Sequence, residues 1–105
     1  MNNKNRSSDK EHELYQAILQ LKTPEECYHF FVDLCTVSEL KAMEQRFQVA
    51  RMLSRGMIYH DILEQTGASS ATISRVNRAL NYGSDGYATV MARLDEAEEN
   101  GGQDA

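Results

Sequence analysis

The sequence predicts an all-α fold, and three features carry that expectation. Apolar residues recur at helical spacing in several stretches, most plainly Cys27, Phe30, Phe31 and Leu34 at i, i+3, i+4 and i+7. Alternating runs of Val, Ile and Thr, the mark of half-buried strands, are missing. The chain holds a single proline, Pro24, and few internal glycines, so little breaks a helix once begun.

The elements can be placed in order. Residues 1–8 are polar and expected to be a flexible N-terminus. A first helix is expected from about Asp9 to Leu21, with Leu14, Ile18 and Leu21 on one face. Thr23 is a good N-cap for the second, Pro24 fits its first position, and Glu25 and Glu26 suit its positive end. Thr36 with Glu39 three residues later matches a capping box, opening a longer helix with Leu40, Met43, Phe47 and Ala50 inward. Gly56 can end that helix in a left-handed conformation. A short helix from about Tyr59 to Gln65 presents Ile62 and Leu63, and Gly67 breaks the chain again. The stretch TGASSATISRVNRAL forms the fifth helix; NYGSDG turns. Ser84 or Asp85 caps a last helix bearing Tyr87, Val90, Met91 and Leu94, which is expected to fray from about Glu98. The expected organisation is six helices in one domain over 9–97, then a flexible acidic tail over 98–105.

Composition narrows the function classes. A chain of 105 residues buries a modest core, and pairing with a second copy would help it. No apolar run approaches the roughly 20 residues that cross a bilayer, and no signal-peptide pattern opens the chain, so a cytoplasmic location and no membrane partner are expected. Cys27 and Cys35 make neither a disulfide framework nor a zinc site, and His12, His29 and His60 are scattered, so no metal or cofactor is expected. No glycine-rich phosphate loop or local nucleophile motif is present, which leaves an enzyme the remotest reading, with no catalytic residue to name.

The net charge is −5, unpromising for a nucleic-acid binder until its distribution is considered. Residues 46–82 carry five arginines (Arg46, Arg51, Arg55, Arg75, Arg78) against Asp61 and Glu64, a regional balance of +3. Residues 93–105 carry Arg93 against five acids, a balance of −4, so an acidic end masks a basic middle.

Within that middle, residues 59–80 read as a helix-turn-helix: a short helix, a glycine turn and a second helix. Ile73, Val76 and Leu80 face inward on the second helix. At about 100° per residue, Ala71, Ser74, Arg75 and Arg78 then lie opposite that row, with Ser69 and Ser70 at the N-terminal end. Such a helix can enter the major groove of double-stranded DNA. Arginine takes a guanine edge with two hydrogen bonds, Thr72 and Ser74 reach bases or phosphates, and Ala71 is small enough to meet a thymine methyl. Ser69 and Ser70 suit phosphate, as do the first N–H groups of the short helix near Tyr59 and His60. Arg51 and Arg55, one turn apart, suit the DNA backbone or acidic neighbours equally.

The stretches ECYHFFVDLCT, QRFQVARMLSRG and YHDILEQTGASSATISRVNRALNYG, with the six-helix layout, resemble the Trp repressor-like family, in particular its small Trp-repressor-related members in Gram-positive bacteria. The likeness covers about residues 14–95. It implies a sequence-specific transcriptional regulator, a repressor acting as an intertwined homodimer whose two reading heads suit half-sites about 34 Å apart. Independently, the Cys27–Phe30–Phe31–Leu34 stripe is a large apolar face for so short a chain.

The resemblance also implies an effector pocket, at Thr36, Arg46, Gln48, Arg75, Val76 and Ala79. Arg75 matches an arginine that flanks the indole in tryptophan-responsive members. Gln48 stands where the carboxylate-binding arginine is expected, Val76 where a glycine leaves room for the ring, and Ala79 where a serine helps hold the amino group. These differences remove a charge partner and fill space, so tryptophan is not expected as corepressor and any small-molecule effector is unknown. The alternative function is a helical protein-interaction module, with the acidic tail docking a basic partner.

Overall fold

A computed structural model describes the backbone of residues 3–104 and the side chains of residues 10–101. Among the described residues there are six helices and no strand: α1 (Asn3–Ile18), α2 (Pro24–Leu34), α3 (Val37–Ser54), α4 (Tyr59–Thr66), α5 (Ser70–Tyr82) and α6 (Gly86–Asp104). Backbone contacts group the chain into two compact units that divide after Leu40.

In the first unit the helix starts obey their capping chemistry. Thr23 Oγ1 accepts the Glu26 N–H at 3.1 Å, with Pro24 in the first helical position. Thr36 and Glu39 form the reciprocal box: the Thr36 N–H donates to Glu39 Oε1 at 2.8 Å and the Glu39 N–H to Thr36 Oγ1 at 3.1 Å. These bonds hold the Glu39 carboxyl below its ordinary pKa. α1 differs from expectation at both ends, starting at Asn3 and stopping at Ile18. No proline or glycine interrupts residues 3–18, so helical hydrogen bonding propagates past Asp9 rather than beginning there. The apolar stripe of α2 is helical as expected, yet no residue of α2 is fully buried, and Tyr28, Val32 and Leu34 are exposed.

The second unit holds the core. Val49 and Ala50 of α3, Ile62 of α4, Ala68 in the turn, Ile73 and Val76 of α5, and Met91 of α6 form one buried cluster. Met52, Leu53, Met57, Leu80 and Tyr87 pack against its edge. The inward row of α3 is thus centred on Val49 and Ala50, and Phe47 lies half outside it. Likewise Ile62 is buried on α4 while Leu63 is exposed.

α3 ends as Gly56 permits. Gly56 has φ +82°, its N–H donates to Leu53 O and the Met57 N–H donates to Met52 O, the paired bonds of a Schellman motif. At the far end of the unit, α6 continues to Asp104, past the expected fraying point at Glu98. Two acids near that point meet arginines at the C-terminal end of α3. Arg51 Nη1 lies 2.8 Å from Asp95 Oδ1, and Arg55 Nη2 lies 2.7 Å from Glu98 Oε1, which also accepts from Arg51 Nη2 at 3.3 Å. Two acids of α6, Asp95 and Glu98, are thus held by α3.

Candidate nucleic-acid interface

The α4–α5 pair is set by three local devices. Gly67 takes φ +71°, a left-handed conformation costly for residues with a Cβ, and its N–H closes α4 on Leu63 O. Thr66 Oγ1 donates to Ile62 O at 2.7 Å and accepts the Ala68 N–H at 3.1 Å, bracing the turn from inside. Gln45 of α3 donates through Nε2 to Thr66 O at 3.2 Å. Ala68 is buried directly after the turn, so α5 leaves along the core rather than into solvent.

α5 is sharply two-sided. Ile73 and Val76 are buried and Leu80 packs at the edge of the core, while Ser70, Ala71, Ser74, Arg75 and Arg78 are exposed. Among the described residues neither Arg75 nor Arg78 enters an ion pair, in contrast to Arg51 and Arg55. Two of the expected polar contacts are already engaged within the helix start. Ser69 caps α5 by accepting the Thr72 N–H at 3.1 Å, and its hydroxyl donates to Thr72 Oγ1 at 3.0 Å, with Thr72 half-buried.

On α4, Tyr59 and His60 are exposed at the first turn, which has no side-chain cap. His60 Nε2 lies 3.3 Å from Glu64 Oε1, one turn on.

The residues expected to form an effector pocket are dispersed among several roles. Arg46 and Gln48 are exposed on α3, Arg75 is exposed on α5, and Val76 is buried in the core. Thr36, in the first unit, has its hydroxyl engaged by the Glu39 N–H. Ala79 alone lines an open depression of about 520 Å³, together with Phe47, Gly83, Ser84, Gly86, Tyr87 and Val90. Among the described residues no group of three or more His, Cys, Asp or Glu is placed to hold a metal ion. Among them, too, no helix is long and apolar enough to cross a membrane.

One exposed residue on α5 escapes the sequence-level site. Tyr82, in the last turn, is 85% exposed, the highest exposure among the large apolar and aromatic side chains described. Its position seven residues after Arg75 is the available signal, masked by reading NYGSDG as a turn when α5 runs on through Tyr82.

Comparison with known proteins fits this architecture. Residues 9–95 match the family described as Trp repressor protein. The uncharacterized protein YerC of Bacillus subtilis (strain 168) is 55% identical over 86 residues, covering 82% of this chain and 83% of that one. A candidate Trp repressor from Staphylococcus aureus, solved by crystallography, superposes with a TM-score of 0.79 at 45% identity, covering 90% of this chain and 95% of its own. A TrpR-like protein from Eubacterium eligens ATCC 27750 gives 0.78 at 55% identity, covering 90% and 96%. With the sequence match spanning most of the helical chain and the same fold in two solved relatives, the chain belongs to the Trp repressor protein family.

Proposed function

We propose that the protein is a sequence-specific DNA-binding transcriptional regulator, a repressor acting as a homodimer through a helix-turn-helix formed by α4 and α5. One observation carries the reading: α5 turns Ala71, Ser74, Arg75 and Arg78 to solvent, opposite buried Ile73 and Val76, with both guanidinium groups outside any ion pair among the described residues. Arginines on a rigid helix are the side chains best suited to a bidentate grip on guanine. Ser70 and the uncapped first turn of α4 at Tyr59 and His60 supply phosphate contacts. Ser69 and Thr72 act by fixing the start of α5.

Dimerisation is supported by α2, whose Tyr28, Val32 and Leu34 remain exposed within a single chain. Burial of such a face against a second copy is worth roughly 25 cal/mol per Å² removed from water. The alternative of an acidic tail docking a basic partner is weakened by Asp95 and Glu98, which already face Arg51 and Arg55.

Selection of genomic fragments by the purified protein, then sequencing, should recover a two-fold operator. On that operator, Arg78→Ala should weaken specific binding by about 1–3 kcal/mol while leaving the melting temperature in place. Absence of any duplex binding at low salt would reject the proposal.

A further inference from the structure

We propose that Tyr82 is a DNA-backbone contact that seats the C-terminal end of α5 against a phosphate through its phenolic hydroxyl. The inference rests on the reading of α5 as the recognition helix and extends it to a residue outside the arginine and serine set. At about 100° per residue, Ala71, Arg75, Arg78 and Tyr82 fall within an arc of roughly 60°, so the ring stands in line with the proposed base-reading residues. Its 85% exposure leaves the ring nearly all in water, and among the described residues its hydroxyl makes no hydrogen bond. Its neighbour Asn81, by contrast, is engaged within the helix, donating to Asn77 O at 2.9 Å and to Asn77 Oδ1 at 3.2 Å.

Gly83 fixes the position of Tyr82. α5 stops there, with the Gly83 N–H on Ala79 O at 3.0 Å. A Cβ at Gly83 would stand 2.3 Å from that same carbonyl oxygen, so this ending requires glycine. Tyr82 therefore sits on a defined last turn and not on a frayed end.

Length then decides what Tyr82 can reach. From Ala71 to Tyr82 the helix axis advances by about 16 Å at about 1.5 Å per residue. The major groove is about 12 Å wide. With the helix axis crossing the groove, the N-terminal half of α5 lies among base edges, Arg78 reaches in from one turn before the end, and the last turn at Tyr82 comes to the groove wall, where the accessible groups are phosphates and sugars. Tyrosine is among the side chains that bond phosphate oxygens, and such a bond sets register without reading sequence.

The test compares wild type, Tyr82→Phe and Arg78→Ala on the tightest duplex from the genomic selection and on a scrambled duplex, across a salt series. Phenylalanine removes only the hydroxyl. Tyr82→Phe should lose about tenfold in affinity on both duplexes, as a hydrogen bond to a charged group implies. Its salt dependence should match wild type, since a neutral hydroxyl releases no counterion, and its thermal melt should be unchanged. Wild-type affinity for Tyr82→Phe alongside weakened Arg78→Ala would overturn the proposal and leave the recognition-helix reading standing. A loss confined to the selected duplex would assign Tyr82 to base reading and overturn it. So would a lowered melting temperature, which would place the hydroxyl in the fold. Failure of wild type to bind either duplex would remove both readings together.

Discussion

Arg51 and Asp95 face each other at 2.8 Å across α3 and α6, and the arginine side chain is only 12% exposed. The same guanidinium reaches Met91 Sδ at 3.6 Å and Glu98 Oε1 at 3.3 Å, so it serves as a partly buried clamp on α6. Arg51→Ala should lower unfolding stability by about 1–2 kcal/mol in urea titration, because it strips charge-assisted bonds from a shielded site. Arg55→Ala, whose side chain is half exposed, should cost no more than about 0.5 kcal/mol. Equal losses would show that burial does not distinguish the two arginines.

Gly67 joins α4 to α5 at φ +71°, and a Cβ there would meet nothing within 4 Å. The cost of Gly67→Ala is therefore one of backbone conformation, about 1–2 kcal/mol, without steric clash. Unfolding stability should fall by that amount. Specific DNA affinity should fall with it if the turn relaxes and tilts α5, while far-UV circular dichroism keeps its helical signal.

Acid should loosen the start of α3. The Thr36 bonds lower the pKa of Glu39 in the folded chain, so the carboxylate's contribution is complete above its unfolded value of about 4.3 and is lost as pH falls through the lower folded value. Glu39→Gln keeps a capping amide oxygen that does not titrate. The stability difference between wild type and Glu39→Gln should be flat from about pH 5 upward and shift against wild type on acidification below about pH 4. A difference independent of pH down to the acid transition would contradict the assigned box.

Tryptophan should not bind tightly. Val76 is buried in the core, Gln48 offers no charge to a carboxylate, and Ala79 lacks a hydroxyl for an amino group. Calorimetry with free tryptophan should give no saturable heat, and a clean micromolar isotherm would count decisively against this expectation.

Much of the fold is legible in the sequence because its helix boundaries are written in local chemistry. Thr23 with Pro24, Thr36 with Glu39, Gly56 and Gly67 all act within one turn of themselves, so their residue types announce their structure. The two faces of α5 are equally plain, since Ile73, Val76 and Leu80 recur at helical spacing with Arg75 and Arg78 between them. The pairing of α6 with α3 is not, because Arg51 and Arg55 lie more than 40 residues from Glu98 and periodicity carries no such pairing. The shift of the α3 core row onto Val49 also depends on which helices converge there. Tyr82 escapes for a related reason: NYGSDG reads as a turn, and only the assembled structure carries α5 on through Tyr82.

The neutralisation of Arg51 and Arg55 bears on how such a protein would search a chromosome. The five arginines of residues 46–82 give a regional balance of +3, and pairing two of them with α6 leaves +1 facing outward. Attraction to arbitrary duplex grows with each unpaired cation brought to the phosphates. A genome offers about a million or more decoy sites for every true one, so weak indiscriminate adhesion keeps more molecules free to occupy the correct address. On the proposed function, folding that surplus positive charge into its own scaffold would trade grip for discernment.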